Sequence, residues 1–489
     1  MEMNGWDVVS LVTVPFINAA IHREGGSPTK MQLSTDTMAV QAEFGSWQIT
    51  VGGAANMLMF DIPLSYIRGR VTKDRQTIAH FSYQSLAARV QLVLKFVNGK
   101  EKSHDLVVDP TNPPTSLVSL MDANGRPLPS AIDKAFITEA LTTWLDGNLS
   151  EFDHVFASVE LDPGVGSDTQ WAFCKPSVVV YTYVSGRSLA DSYLGILYNT
   201  AGRSTPGSVA QIDPSFIPAG CQAAFMLSPT MFITDFLGPA ARQQFGIPAQ
   251  SLKVDTSQLT VALNAGESIP LPEVPVEEPA GSSRVGVLIA EVLQGFLDVA
   301  GKAFAHPQKV YKPYLVDLQI AVQNSVIKTY SKTSTIVLDE FYGTVTAFNE
   351  SESWMTLGLD ASREALTYTN TQPPINNHHT EQSISFTIIQ DILQALGIVT
   401  IVIAAVLTDG AALLAIGALS GVASGGAQWA LASFESDHRN DAPEINNLVS
   451  NLTLPVRWSR TGPFATTQAG LHQGGFFLAG TIRQDEKQT

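Results

Sequence analysis

Over the first hundred residues, apolar and polar positions alternate in short runs, the pattern of strands with one buried face. Val40–Val51 carries Phe44, Trp47, Ile49 and Val51, and Ala55–Ile67 carries Met57, Met59, Ile62, Leu64 and Ile67. Val90–Val97 and Leu106–Val108 continue the series, with turns containing Gly and Asn between them. This predicts antiparallel strands from Met31 onward. Ahead of them, Trp6–Ile21 reads as an apolar helix interrupted at Pro15.

The period then changes. In Ser130–Leu145, Ile132, Phe136, Ala140, Leu141 and Trp144 recur at helical spacing, giving an apolar stripe that must lie on something. Ser130 is placed to cap this helix, and Asp133 in its first turn suits the positive end of the helix dipole. Strands return at His154–Leu161 and Ser177–Val184, and an apolar segment, Phe225–Phe245, closes the first half.

Residues 265–283 hold four prolines and four glutamates, which predicts an extended connector. The organisation expected from this is an N-terminal half over 1–264, the connector 265–283, and a C-terminal half over 284–489. The second half opens with an amphipathic helix, Val285–Ala305, whose stripe includes Leu288, Val292, Phe296 and Phe304; Pro307 ends it. Strand-like runs follow at Tyr314–Val326 and Val345–Phe348. Helix and sheet in both halves point to an α+β fold, with long helices against curved antiparallel sheets.

Ile392–Phe434 stands apart. No residue between Asp391 and Asp409 is charged, and Ile398, Val402 and Leu407 belong to a run that is apolar nearly all round. Asp409-Gly410 is a turn signal, and a second uncharged run rich in Ala, Gly and Ser follows it. The pair reads as an apolar helical hairpin over 392–434. A helix apolar on every side needs a large protein core, a lipid-lined tunnel or groove, or a membrane. All three readings stay open, the last as a hairpin hidden until a trigger releases it.

Composition narrows the classes. Hydrophobic residues make up 45% of the 489 residues and charged ones only 15%, which fits a globular chain and excludes a disordered one. With 29 Lys and Arg against 45 Asp and Glu, the formal charge is -16. Such a surface repels phosphate backbones, so nucleic acid is not an expected partner. A lipid contact would be made through apolar surface rather than a basic patch. Cys174 and Cys221 are too few for a disulfide framework or a cysteine zinc site. Whether they meet is open, two ordinary buried thiols being the simpler reading. The opening residues lack a basic stretch followed by an apolar one, so synthesis in the cytoplasm without a secretory signal is expected, with release as part of a complex.

Motifs for covalent chemistry are missing. There is no phosphate-binding P-loop, no dinucleotide fingerprint and no nucleophile elbow. His378 and His379 lie next to each other with Glu381 nearby, a weak metal candidate beside the simpler reading of a solvated loop. A protein that is not an enzyme is expected, with no cofactor and no metal.

Three short motifs in order carry a family resemblance. Asn4-Gly5-Trp6-Asp7-Val8-Val9 is followed by Asn18-Ala19-Ala20-Ile21. Phe225-Met226-Leu227-Ser228-Pro229 leads to Phe236-Leu237-Gly238-Pro239. Leu454-Pro455-Val456-Arg457-Trp458 precedes Gly475-Phe476-Phe477-Leu478-Ala479-Gly480. They resemble the start, the mid-chain helix and the end of the clostridial 47-kDa and OrfX proteins of toxin gene clusters. The resemblance implies an elongated, tubular lipid-binding (TULIP-like) fold, with long helices wrapped by highly curved sheets. It also implies a non-enzymatic accessory role beside other toxin-cluster proteins, and it brings no catalytic residues. The candidate lipid contacts are then Leu288, Val292, Phe296, Phe304, Phe136, Trp144, Ile398, Val402 and Leu407. The alternatives are a membrane-inserting component of a toxin complex and a purely structural interaction scaffold. Side chains that fill the tube would leave no room for lipid.

Overall fold

The computed structural model describes residues 3–99, 103–122, 124–161, 175–200, 203, 209–212, 217–271, 274–275, 310–311, 313–338, 345–359, 366–373, 375–380, 398–408, 411–421, 453, 455–459 and 464–482. The chain opens with β1 (Val8–Thr13) and turns directly into α1 (Val14–Glu24). The apolar opening is therefore a strand and then a helix, not one interrupted helix. Pro15 starts α1 because its fixed φ suits the first turn, where a missing N–H forfeits no bond. Gly25, at φ 68, closes the helix with its N–H on the Ile21 carbonyl.

Next comes the antiparallel series expected from the alternation: β2 (Lys30–Ser34), β3 (Met38–Phe44), β4 (Gln48–Ala54), β5 (Met57–Lys73), β6 (Gln76–Asn98), β7 (Ser103–Val108) and β8 (Ser119–Met121). The helix α2 (Ala131–Asn148) follows, and Ser130 caps it as its sequence foretells, its Oγ accepting from the Asp133 N–H at 3.1 Å. Then come β9 (Ala157–Glu160), β10 (Pro176–Val184), β11 (Tyr193–Thr200) and β12 (Ala223–Leu227). The segment read as one apolar stretch from Phe225 splits at Ser228. Beyond it α3 (Pro229–Met231) runs through a π-helical turn, Phe232–Leu237, into α4 (Gly238–Phe245).

Further along lie β13 (Leu252–Asp255), β14 (Thr260–Leu263), β15 (Ile269–Pro270), β16 (Val274–Pro275), β17 (Val310–Tyr311) and β18 (Pro313–Gln323). They are followed by β19 (Val326–Leu338), β20 (Val345–Leu359), β21 (Leu366–Asn370) and β22 (Ile375–Thr380). Last come β23 (Ile398–Thr408), β24 (Ala411–Gly421), β25 (Val456–Trp458), β26 (Phe464–His472) and β27 (Gly475–Ile482).

Two compact units result. The first joins Met1–Ser228 to Asn446–Ala469 and Gly475–Thr489; the second holds Pro229–Ile445 and Gly470–Gly474. This differs from the expected division at 265–283. β14, ahead of that segment, and β15, within it, both pair with β18 beyond it. Backbone pairing holds the flanks together across the proline-rich stretch, so composition there marks a crossing within a unit and not its edge.

The first unit has a six-stranded sheet of order β10-β11-β1-β12-β27-β26 and a nine-stranded one whose main path is β2-β3-β5-β6-β7-β9-β25. All the strand pairs in both are antiparallel where the register is given, so the sheet content expected from sequence is present and outweighs the helix. β10 ties the two sheets together. The Tyr181 hydroxyl donates to Asn56 O at 2.7 Å and accepts from the Leu94 N–H at 2.8 Å, while Tyr183 donates to Thr50 O at 2.9 Å. Backbone groups of Thr50 in β4, Asn56 in the β4–β5 turn and Leu94 in β6 are satisfied by these phenols.

In the second unit an eight-stranded sheet runs β13-β14-β18-β19-β20-β21, with β15 and β22 beside it. The run expected as one strand over Tyr314–Val326 is two. Asn324, at φ 57, turns the chain so that Gln323 faces Val326. Asparagine takes that left-handed conformation more readily than other side chains.

Because Leu94 N and Asn56 O lose their partner together, Tyr181→Phe is expected to lower stability by about 1–3 kcal/mol in urea denaturation. Burial pushes the Tyr181 phenol up to about 12 from 10.0. The folded state keeps this proton where the unfolded chain releases it, so the stabilisation is whole below pH ~10 and lost as pH rises to ~12. Urea midpoints measured across that window should fall less steeply with pH in the Phe variant.

Candidate functional site

The residues singled out by sequence are divided between the two units, with four of them undescribed. Leu288, Val292, Phe296 and Phe304, with the expected helix Val285–Ala305, lie outside the described residues. Phe136 and Trp144 are on α2 in the first unit, and Ile398, Val402 and Leu407 are on β23 in the second.

The helix α2 shows what occupies the space beneath it. Its buried face is Ile137, Ala140, Leu141, Trp144 and Leu145, whereas Phe136 is half-buried and Ile132 is 66% exposed. The stripe expected from spacing therefore rotates away from its first turn, where Asp133 accepts from the Tyr83 hydroxyl at 2.6 Å. That bond is the main reason the Tyr83 phenol is raised to about 12. Beneath the helix, the Trp144 ring lies 5.2 Å from Phe44, and Phe44 meets Trp47 edge-on at 6.0 Å. Trp47 stacks on Phe152 at 5.0 Å, and Phe152 and Phe156 both touch Phe60. These rings are all buried, and edge-to-face and offset contacts of this kind suit the aromatic quadrupole. Protein side chains pack the region around Trp144. His154 sits in the same layer, edge-on to Phe156 at 4.9 Å, with Nδ1 3.3 Å from the Glu24 carboxylate. Phe152 escaped the sequence reading, and His154 and Phe156, expected at the start of a strand over His154–Leu161, lie in the short loop before β9, which begins only at Ala157.

The opening motif is a latch. Asn4 Nδ2 donates to Gln211 O at 2.8 Å and Trp6 Nε1 to Val209 O at 3.0 Å. Asp7 Oδ2 accepts from the Thr200 N–H at 2.9 Å and its hydroxyl at 3.2 Å, and Arg203 lies 3.6 Å from Oδ1. Asp7 is only 8% exposed, and this set of donors is what makes a buried carboxylate tolerable. The final motif closes the same unit: Val456–Trp458 forms β25 on β9, and the Trp458 indole donates to Ser10 Oγ at 2.9 Å. Both motifs are structural.

The apolar hairpin is present but is not helical. β23 and β24, 11 residues each, pair antiparallel from Ile398↔Gly421 to Thr408↔Ala411 and form a two-stranded sheet of their own. Val402 faces Gly417 across the ladder and Leu407 faces Ala412. Two features of the sequence account for the difference from a helical hairpin. Ile398–Val402 is dense in β-branched residues, which favour strands, and Asp-Gly between apolar runs favours a two-residue hairpin turn. An all-apolar run has no period to separate strand from helix. β24 packs against α4 and the π-helical turn, and β23 against β19, β20 and β21. The rest of the expected hairpin, 392–397 and 422–434, lies outside the described residues.

Among the described residues no group of three or more His, Cys, Asp or Glu is placed to hold a metal ion. His378 and His379 fall on β22, and Glu381 is outside the described residues. Cys221 is a buried free thiol 3.6 Å from Thr467 Oγ1, and Cys174 lies outside the described residues. No described helix is long and apolar enough to cross a membrane.

Comparison with known proteins gives a consistent picture. The model of an OrfX-like family, "Protein OrfX2/OrfX3/P47", matches residues 3–269. Protein OrfX3 of Paraclostridium bifermentans is 24% identical, covering 98% of this chain and 97% of its own. Protein OrfX3 of Clostridium botulinum (strain Kyoto / Type A2) is 23% identical, covering 98% of each. Among solved structures, P47 from Clostridium botulinum A2 has a TM-score of 0.66 at 15% identity over 98% of both chains. P47 of Clostridium botulinum E1 gives the same TM-score at 14% identity, over 98% of this chain and 99% of its own. These two establish a shared fold.

Since Trp144 fills a packed layer, Trp144→Ala is expected to cost about 3–5 kcal/mol, and Phe136→Ala roughly half of that or less. Chemical denaturation of the two variants beside the parent measures both. Equal losses would show that α2 buries a different face.

Proposed function

The chain belongs to the OrfX-like family, and from that premise we propose that it is a non-enzymatic accessory protein of a toxin gene cluster that binds lipid. The observation that carries this reading is the β23–β24 hairpin. Neither strand contains a charged residue, so neither face is suited to water. A two-stranded hairpin is marginal on its own, and this one depends on apolar surroundings supplied by protein, by lipid or by both. In this reading long helices lie against curved sheets to form the tubular architecture expected from the resemblance. The apolar interior then holds acyl chains, each buried methylene contributing about 0.8 kcal/mol. The aromatic layer around Trp144 favours a site elsewhere than under α2. The other proteins of the cluster are its protein partners.

A second reading, insertion into a membrane, is favoured by the strand length. A membrane-spanning strand needs about 9–11 residues, and β23 and β24 each have 11. The hairpin then leaves its packed position on a trigger and enters the bilayer.

The first test is native mass spectrometry of the purified full-length protein, followed by solvent extraction. The expected result is extractable lipid, and delipidated protein should regain thermal stability when lipid is added. A protein that carries none and gains no stability from any lipid class contradicts lipid binding. For the second reading, dye-loaded liposomes should leak on acidification, and Val402→Asp should abolish leakage by placing a charge in the middle of β23. Intact liposomes at every pH tested would dispose of insertion.

A further inference from the structure

The sheet of the second unit has an unusual buried face. On β19, Ile327, Thr329, Ser331 and Thr333 are buried, and on β20 so are Ser351, Ser353, Met355 and Leu357. The register sets these in rows: Leu318 beside Ser331 beside Ser351, then Ile320 beside Thr329 beside Ser353, then Val322 beside Ile327 beside Met355. The face thus grades from aliphatic on β18 to hydroxyl on β19 and β20. Along β19 the three hydroxyl positions span roughly 14 Å, at about 3.4 Å per residue.

The opposite face carries the charges, and they are paired there. Lys328 lies 3.3 Å from Glu352 and Lys332 3.0 Å from Glu350, and each lysine also sits over an aromatic ring, Trp354 or Phe348. With its ion pairs on the outer face, this sheet gains nothing from hydroxyls on the inner one unless they bond to something. Thr329 and Ser353 bond to each other. Ser351 is 3% exposed, and its Oγ has no hydrogen-bond partner among the described residues. A buried hydroxyl left in that state costs about 1–3 kcal/mol.

We propose that the hydroxyl-bearing inner face of β19 and β20, centred on Ser351, binds the uncharged ester and alcohol oxygens of a neutral glycerolipid, whose acyl chains lie along the aliphatic side from β18. The proposal rests on the lipid reading above and adds the class of lipid. The ligand oxygens supply the bonds that Ser351 lacks. The aliphatic row supplies apolar contact next to them. Ionised head groups are disfavoured, because the buried positions named on this face include no charged side chain and an unpaired buried charge is costly.

The test uses the full-length protein and two fluorescent probes of equal chain length, a pyrene-labelled diacylglycerol and a pyrene-labelled alkane. Ser351→Ala should weaken diacylglycerol binding about fivefold, the loss of one hydrogen bond, and leave the alkane unchanged. The near-isosteric Ser351→Cys, whose thiol is a much weaker hydrogen-bonding group, should act in the same direction and guards against a folding artefact. The Tm of lipid-free Ser351→Ala should equal or exceed that of the parent, since an unpartnered hydroxyl has been removed. If both probes bind the parent and neither variant separates them, the glycerolipid site is overturned while lipid binding stands. If a phosphatidic acid probe displaces diacylglycerol with higher affinity, the neutral-lipid assignment falls. If no probe binds, the lipid reading falls, and this proposal with it.

Discussion

Strands from the two ends of the chain lie in one sheet, on either side of β12, and the first unit depends on that closure. β1 is the central strand, buried on both faces and hydrogen-bonded to β11 and β12. Beyond β12 the next strand is β27, in register from Ala223↔Gly480 to Leu227↔Phe476. The Trp458–Ser10 bond spans 448 residues of sequence. Contacts of such high order carry a large loop-closure cost before they return any stabilisation. They form when the partners on both sides are already apolar and shaped, as β12 is, with all five residues buried. Until β27 arrives, β12 presents an unpaired buried edge. The opening latch from Asn4, Trp6 and Asp7 works toward the same end, fixing the segment after β11 so that β1 enters the sheet in one register.

The second unit meets a different constraint. In β19 and β20 much of the described stretch has two polar faces, one carrying paired charges and the other hydroxyls. Sheets of this kind hold together through backbone ladders and cross-strand pairs; among the described side chains of β19 and β20, the buried aliphatic ones lie at the ends nearest Val322. The strongly apolar β23 packs against β19, β20 and β21. Within one unit, then, there is an excess of apolar surface on the hairpin and a shortage of it on the neighbouring strands. An amphiphile answers both, which is why the proposed ligand has an apolar part and an uncharged polar part. The first unit, by contrast, resolves the same problem internally, with Trp47, Trp144 and Phe152 filling the space beside α2.

Much was legible in the sequence where a pattern had a period. The strands from β3 to β7 and the capped helix α2 follow from alternation and from Ser130 with Asp133, because one face of each is buried and the other is not. The family could be recognised from motifs that prove structural: Asp7 and Trp458 make buried hydrogen bonds that few other side chains could reproduce. Where both faces have the same character, the period vanishes. β19 and the polar half of β20 alternate Ser and Thr with Lys and Glu, which hydropathy reads as loop. β23 and β24 are apolar throughout, which hydropathy reads as readily as helix. The candidate contacts divide along the same line, with Trp144 set by a legible stripe and Ile398, Val402 and Leu407 on an element whose type was not legible.

Sequence alone determined the antiparallel character of the first hundred residues, the cap of α2, the uncharged run around Asp409-Gly410 and the family. Those properties are local, fixed by side-chain period, turn chemistry and short motifs. Only the tertiary structure decided that the chain returns to close its first sheet, that β14 joins β18 across the proline-rich segment, and that hydroxyls from two strands share one buried face. Each of these depends on which distant strands pair and in which register, and register is set by the whole set of faces that must be buried together, not by any segment by itself.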